Sequence, residues 1–316
     1  MDTASAWQPA VVLAPDPARS STGVGDLTAV ANTAWTEDPL GRWIPAESVE
    51  AVDRTQRLDL MKWHGILVSW DFGNVIHVSR DGRTWTDARI QPDEGNPSEV
   101  VPIGDDLMLL GEGMRVRLGA WRSSDGSAWS GVEGSPLGMR AATPVGASGL
   151  AAVGSAGPSA AAWSTPDGVT WSPVPFPQPP DGTTSALAGV AAIGRRVVAI
   201  GDVDGAAAVW GSADLVHWTR SAQPARDDEF LAHVTAANDL FVIAGRSRDR
   251  PAVWLSADGL IWTSMLLPLP ADGTGEVSDV VVEDGRLIAF GFATEDAGNG
   301  GASKTGYLVW TLGMSR

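Results

Sequence analysis

One short phrase recurs along the 316-residue chain at an almost fixed interval. Each copy places Ser or Thr two residues before an Asp and Trp four residues after it, as in SSDGSAW (123–129) and SADGLIW (256–262). The aspartates of the five clear copies lie 42 to 47 residues apart: Asp81, Asp125, Asp167, Asp214 and Asp258. A degenerate sixth copy, TEDPLGRW (36–43), carries Asp38. A period in the forties is typical of repeat architectures, so we interpret each interval as one structural unit.

The signals inside each interval are those of β-strands. A short apolar run ending near Gly comes before the phrase, as in LAAVG (150–154) and VVAIG (197–201). Turn-forming clusters come before the runs, as in AND (237–239). Each period therefore predicts four strands, a to d, with tight a–b and c–d hairpins. Four-stranded modules repeated at this interval predict an all-β chain folded as a β-propeller of antiparallel blades.

Most of the 15 tryptophans belong to the repeat. One Trp usually precedes the Asp by four residues, on strand c, and another follows it by four, on strand d. Such cross-strand pairs cover a hairpin with large apolar area. The pairs are Trp121/Trp129, Trp163/Trp171, Trp210/Trp218 and Trp254/Trp262, with Trp35/Trp43 in the degenerate copy and His77 beside Trp85.

The phrase itself predicts the c–d turn. Its Asp can accept hydrogen bonds from backbone N–H groups two or three residues on, and the following Gly can adopt a positive φ without a Cβ clash. The Ser or Thr two residues before the Asp can add a second local bond. Leu215 follows Asp214 where the other clear copies have Gly. We therefore expect that turn to be bent differently or strained.

The two ends of the chain supply the halves of one more pair. GYLVWTLG (306–313) is typical of strand c, and ASAWQPAVV (4–12) is typical of strand d. Pairing the two closes the ring without leaving a blade edge open. Counting the d-strand tryptophans gives a seven-bladed propeller in one domain spanning 1–316. Residues 13–34 are short for two strands, so six blades are the alternative.

The phrases in SRDGRTW (79–85), TPDGVTW (165–171) and their fellow copies resemble the Asp-box, or BNR repeat. Here Gly82, Gly126, Gly168 and Gly259 follow the Asp directly, whereas the usual box has one residue between them. The resemblance implies a sialidase-like β-propeller, a group that includes sialidases, xyloglucan-cleaving hydrolases and photosystem assembly factors. In that group the boxes lie away from the active face and hold the fold, so the motif speaks for fold and not for function.

The composition of the chain limits which classes of partner and cofactor are expected. The formal net charge of −16 repels polyphosphates and anionic bilayers, so we expect no nucleic-acid partner. No apolar run reaches the roughly 20 residues of a membrane span. The absence of Cys excludes thiolate zinc sites, and no His pair has metal-ligand spacing. DVDG (202–205) resembles the start of a calcium loop but lacks the closing Glu, so calcium is an unsupported alternative and no cofactor or metal is predicted.

A ligand site on a propeller is expected on the face built from the b–c and d–a connections. Residues at these strand ends are rich in carboxylates and arginines. The candidates are Trp70, Asp71, Glu112, Arg140, Asp202, Glu229, Arg246 and Glu276. The alternative is that they are solvated loop ends with local ion pairs, and that Trp70 packs at a strand end. His233 either faces the channel or is a satisfied core histidine.

No catalytic set is assigned. By resemblance, a sialidase needs three arginines, a Tyr–Glu pair and an acidic Asp, yet the single Tyr is Tyr307 and GRWIP (41–45) interrupts the family's Arg-Ile-Pro segment. We therefore expect a non-catalytic module that presents a polar channel mouth to a protein or a glycan. The alternative is a glycoside hydrolase with two carboxylates. We expect a monomer, and the box's exported relatives suggest a secreted or cell-envelope protein.

Overall fold

The computed structural model describes residues 8–12, 28–30, 33–37, 43–45, 58–71, 76–81, 84–91, 95–113, 117–224, 226–237, 239–269, 273–283, 286–295 and 304–313. Their regular structure is entirely β. These ranges contain no helix, and hence none that could cross a bilayer. The strands, β1 to β28 in chain order, form seven sheets in the described residues, which we number I to VII along the chain.

Sheets I to III use the first part of the chain. Sheet I contains β2 (Thr28–Val30), β3 (Thr33–Glu37) and β4 (Trp43–Pro45). Sheet II contains β5 (Leu58–Trp63), β6 (Ile66–Asp71), β7 (Ile76–Ser79) and β8 (Trp85–Asp87). Sheet III contains β10 (Gly95–Ile103), β11 (Asp106–Gly113), β12 (Ala120–Ser123), β13 (Ala128–Gly131) and, beside β13, β9 (Arg89–Gln91).

Sheets IV to VI each contain four strands in chain order. Sheet IV contains β14 (Met139–Val145), β15 (Gly149–Ala156), β16 (Ser159–Thr165) and β17 (Ser172–Val174). Sheet V contains β18 (Ser185–Ile193), β19 (Arg196–Val203), β20 (Ala206–Ser212) and β21 (Trp218–Arg220). Sheet VI contains β22 (Glu229–Ala237), β23 (Leu240–Ser247), β24 (Arg250–Ser256) and β25 (Thr263–Leu266).

Sheet VII combines strands from both ends of the sequence. It contains β26 (Gly273–Glu283), β27 (Arg286–Glu295), β28 (Lys304–Gly313) and β1 (Gln8–Val12). β1 runs antiparallel to β28, with Ala10 opposite Val309. Trp7 and Asp38, with residues 13–27, lie outside the described residues, as do the side chains of Trp35 and Trp43.

The tryptophan pairs pack between consecutive sheets and do not simply cover their own hairpins. Trp121 and Trp129 of sheet III share a buried cluster with Ile66 and Val68 of sheet II. Further clusters of this kind join III to IV, IV to V, V to VI and VI to VII. Large aromatic surfaces are thereby removed from water at each of these junctions, which stabilises the stacking of one sheet on the next.

A β-bulge recurs in the first strand of five sheets and explains the glycine that ends each apolar run. The register slips at Pro97/Glu99, Met139/Ala141, Leu187/Gly189, Leu231/His233 and Val277/Asp279. Two residues of strand a there face one of strand b, and the bend brings a carbonyl close to the facing strand. A Cβ on Gly245 would lie 1.9 Å from the Phe230 carbonyl oxygen, and one on Gly201 would lie 2.0 Å from that of Ala186. A side chain at these positions requires the backbone to move.

The repeated aspartate turns have nearly identical hydrogen bonds. In sheet VI, Oδ1 of Asp258 accepts the N–H groups of Leu260 and Ile261 at 2.9 and 2.8 Å, while Oγ of Ser256 accepts the Gly259 N–H. The turns at Asp125, Asp167 and Asp214 repeat this pattern, and at Asp81 the Thr84 N–H donates at 2.8 Å. At Asp125, Asp167 and Asp258 the backbone donors are the main cause of a lowered pKa, because they stabilise the carboxylate form.

The turn at Leu215 was expected to be either bent differently or strained, and the structure supports strain. Its hydrogen bonds are the same as elsewhere, so it is not bent differently, but Leu215 adopts φ = 66°, in the left-handed region that disfavours a Cβ. The glycines at this position lie against large side chains of the preceding sheet. A Cβ on Gly168 would lie 2.5 Å from Met108 and one on Gly259 would lie 2.5 Å from Val198, and the residue of sheet IV at the same register position is Ala151. Leu215 packs against the cluster between sheets IV and V, and we infer from the register that the small side chain of Ala151 leaves room for it.

Candidate binding face

The two ends of each sheet differ in kind. Because the strands alternate in direction, the a–b and c–d hairpins, including the aspartate turns, lie at one end, which we call the turn face. The b–c and d–a connections lie at the other end, which we call the upper face. The sequence placed its candidate ligand residues on this upper face.

Two of the candidates do not present a side chain for binding. Trp70 is only 7% exposed and packs with Trp63 and Ile76, so it packs as a strand-end residue. Asp202 caps its own b–c turn by accepting the Gly205 N–H at 3.2 Å. Arg140 is exposed on the bulge of β14. The side chains of Asp71 and Glu112 lie outside the described residues.

The structure brings together the other three candidates, Glu229, Arg246 and Glu276, where sheet VI meets sheet VII. The side chains of Glu229 and Arg246 line an open cleft of about 430 Å³. Nε of Arg246 lies 3.4 Å from Oε2 of Glu276, across the junction. The Gly275 N–H, on the first strand of sheet VII, donates to the carbonyl oxygen of Asp249, a residue that lines the cleft, at 2.9 Å and links the two sheets there.

The rest of the cleft comes from the linker before β22 and from the β23–β24 turn. It is lined by Asp227, Asp228, Glu229, Arg246, Arg248 and Asp249. Arg248 adopts φ = 56°, and its N–H donates to the Asp228 carbonyl oxygen at 2.6 Å. Its Nε also lies 3.3 Å from Oδ2 of Asp228. The turn and the linker are thus tied to each other, which fixes both walls of the cleft.

An aromatic ring lies beside these charges. Phe230 is 45% exposed, and the guanidinium carbon of Arg246 lies 5.6 Å from its ring centroid. The two residues are directly opposite each other on β22 and β23. The same pair of positions in sheet V holds Ala186 and Asp202. Sheet V therefore has no equivalent of the aromatic–arginine pair found in sheet VI. Sequence reasoning found Arg246 but missed Phe230, whose strand position alone did not mark it as exposed.

The innermost strands are joined by polar side chains that sequence reasoning only partly identified. Oε2 of Glu99 accepts the Ala142 N–H of sheet IV at 2.7 Å. His233 Nε2 lies 3.4 Å from Oδ1 of Asp279 in sheet VII, with 43% and 27% of these side chains exposed. His233 is therefore neither buried nor alone. These contacts link consecutive sheets, and we assign them to the fold.

A second cavity, about 370 Å³, lies on the turn face between sheets III and IV and is bridged by an arginine. Nε of Arg122 donates to Oδ2 of Asp106 at 2.7 Å, and Nη1 donates to the Asp167 carbonyl oxygen at 2.9 Å. The arginine thus ties one sheet to the aspartate turn of the next. Among the described residues, no group of three or more His, Asp or Glu side chains is placed to hold a metal ion.

Comparison with known proteins gives the fold. No protein-family model matches the chain, and no curated protein matches it. A structure of YCF48 bound to D1 peptide aligns with a TM-score of 0.58 at 14% identity, covering 99% of this chain and 98% of that chain.

Two lyase structures also align over nearly the whole chain. Virginiamycin B lyase from Staphylococcus aureus with quinupristin gives a TM-score of 0.65 at 9% identity, covering 97% of this chain and 99% of that chain. A streptogramin B lyase gives 0.66 at 10% identity, covering 97% of each. Likenesses at these identities show the fold alone, and that fold is the β-propeller.

Proposed function

We propose that this β-propeller is a binding module whose upper-face cleft, in sheet VI beside its junction with sheet VII, receives a segment of a partner protein. One observation carries the proposal. Glu229 and Arg246 line the cleft, and Arg246 lies close both to Glu276 of sheet VII and to the exposed ring of Phe230. A structural neighbour that holds a peptide is consistent with this role.

The charges of the cleft indicate the chemistry of the ligand. Five carboxylates lie in or beside it, against two arginines: Asp227, Asp228, Glu229, Asp249 and Glu276, with Arg246 and Arg248. The chain as a whole carries a formal charge of −16. Electrostatic complementarity therefore favours a segment with Lys or Arg side chains, and Phe230 offers a surface for an apolar or cationic group.

Our proposal also covers the number of blades, the extent of the domain and the closure of the propeller. The seven sheets are seven blades of a single domain spanning 1–316, the aspartate turns are Asp-boxes, and β1 closes the ring on β28. The chain has no native Cys, so a pair introduced at Ala10 and Val309 reports on closure without side reactions. We expect Ala10→Cys/Val309→Cys to form an intramolecular disulfide in mild oxidant. A chain that stays reduced, like a control pairing Ala10→Cys with Ala192→Cys, would contradict closure.

The test of the binding role uses a phage-displayed library of random peptides selected on the immobilised protein. We expect enrichment of basic peptides carrying an aromatic or aliphatic residue. Arg246→Ala and Phe230→Ala should each weaken binding of the selected peptides about tenfold or more, because the first removes a side chain that lines the cleft and the second removes the exposed ring beside it. Asp202→Ala, at the position of sheet V equivalent to Arg246, is the matched control and should leave affinity unchanged.

The same protein preparations are screened against a glycan array and a panel of aryl glycosides. Protein binding predicts no turnover. Turnover that disappears when a single cleft carboxylate is replaced, for example in Glu229→Gln, would favour a glycoside hydrolase instead. Selected peptides that bind Arg246→Ala and Phe230→Ala as tightly as the wild type would place the binding site elsewhere.

A further inference from the structure

The outer edges of the sheets are protected in different ways. The last strand of a blade leaves backbone N–H and C=O groups unpaired, and proteins commonly blunt such edges with a charged residue, a proline or a covering segment. Pro9 lies in β1, Pro45 in β4, Asp87 in β8, Pro173 in β17 and Arg220 in β21, while β13 is covered by β9. Among the outer strands in the described part of the chain, β25 alone has none of these protections, since its sequence is TSML.

The hairpin that carries β25 is also apolar at its surface. Ile261 is 77% exposed, Leu266 is 55% exposed and Leu260 is 38% exposed. These are half of the six large apolar side chains that are exposed in the described residues, so exposed apolar surface is concentrated on this hairpin, with Leu266 on β25 itself. An unprotected edge flanked by apolar side chains is a template for pairing with another strand.

The chain already shows how such an edge is covered. In sheet III, β9 runs parallel to β13, with Ile90 opposite Trp129, and the Arg89 N–H donates to the Ser127 carbonyl oxygen at 2.8 Å. In sheet VI the equivalent carbonyl, that of Leu260, accepts the Ser221 hydroxyl at 2.7 Å instead. Beyond this contact, Thr263–Leu266 pairs with β24 on its inner side and, among the described residues, has no strand on its outer side.

We propose that β25 is a second interaction surface, which takes up an extended segment of a partner protein by strand addition. A second copy of this chain is a poor occupant, because each copy carries a formal charge of −16. The segment that fits alternates β-branched apolar residues, which contact Leu266, with lysines or arginines that match the acidic protein. This surface is separate from the upper-face cleft and does not depend on it.

The experiment uses a synthetic peptide of alternating valine and lysine as the probe, with a glutamate-for-lysine analogue and a backbone N-methylated analogue. Binding to the full chain is followed by fluorescence anisotropy, and pairing by hydrogen exchange of the β25 amides. We expect the lysine peptide to bind and to protect Thr263–Leu266, and both analogues to fail, because they lack the charge or the backbone donors.

Ser264→Arg is the decisive variant, because it gives β25 an arginine at the position that Arg220 occupies in β21. Sheet V folds with an arginine at this position, so we expect sheet VI to tolerate one. It should weaken the probe about tenfold or more. Phe230→Ala and Arg246→Ala should leave the probe's affinity unchanged, which separates this surface from the cleft. The proposal is overturned if the lysine peptide does not bind, if Ser264→Arg binds it equally well, or if sedimentation shows a dimer that Ser264→Arg dissociates.

Discussion

The turn face and the upper face of this protein are built from the same repeat but obey different rules. At the turn face, Asp125, Asp167, Asp214 and Asp258 each accept two backbone N–H groups at 2.7 to 3.0 Å, with little variation from sheet to sheet. At the upper face, equivalent positions hold unlike residues, such as Asp202 in sheet V and Arg246 in sheet VI. Repetition marks what the fold requires, and divergence marks where a particular sheet acquires its own chemistry.

The largest loss of stability should come from replacing the glycines that face the bulges, because strands a and b, which run between the two faces, approach each other closely there. Gly245→Ala places a Cβ 1.9 Å from the Phe230 carbonyl oxygen, so the strands must separate, and we expect a loss of about 3 kcal/mol in the free energy of unfolding. Gly157→Ala, at a glycine of φ = 64° with open space around it, is the control and should cost about 1 kcal/mol. Urea denaturation measures both. Equal losses would mean that the close approach does not constrain the fold.

A smaller change in stability is expected at Leu215, the one clear aspartate turn that lacks the glycine. We infer from the register that Ala151 leaves room for Leu215, whereas at the V–VI junction a Cβ on Gly259 would lie 2.5 Å from Val198. We expect Leu215→Gly and Ala151→Val each to destabilise the protein, and the double variant to recover about 1 kcal/mol relative to the sum of the two losses. Additive losses in a double-mutant cycle would show that the two positions do not compensate for each other.

The smallest effect concerns the protonation of the turns. Backbone donors, Ile261 first and then Leu260, lower the pKa of Asp258. At Asp214 the His217 side chain is the main cause of a lowered pKa. A carboxylate whose pKa is lower in the folded state stabilises the protein above its unfolded pKa, and this stability is lost as the pH falls. Asp258→Asn should therefore reduce the drop in urea midpoint between about pH 6 and about pH 3. An unchanged drop would mean that the turn does not contribute.

The sequence predicted the parts of the molecule that repeat. Strand order, the aspartate turns and the pairing of β1 with β28 follow from local signals that recur or match across the chain. It did not predict β9, because three residues of a linker carry no periodic signal. Nor did it predict the place of the Trp pairs between sheets, since that depends on how modules stack and not on the hairpin alone.

The candidate site was predicted only in part, because position in the repeat is visible in the sequence but packing between sheets is not. Position in the repeat was enough to select Glu229, Arg246 and Glu276 as upper-face residues, and the structure places them together. It was not enough to separate them from Trp70, whose burial depends on packing against the neighbouring sheet. The exposure of Phe230 likewise depends on the shape of one junction.

Parallel measurement of peptide affinity and unfolding free energy in Arg246→Ala and Asp258→Ala tests the division between the two faces most directly. The peptides are those selected on the wild-type protein. Arg246→Ala should lose affinity about tenfold with stability unchanged, and Asp258→Ala should lose about 1 kcal/mol of stability with affinity unchanged. Loss of affinity in Asp258→Ala with none in Arg246→Ala would assign recognition to the turn face and contradict the account.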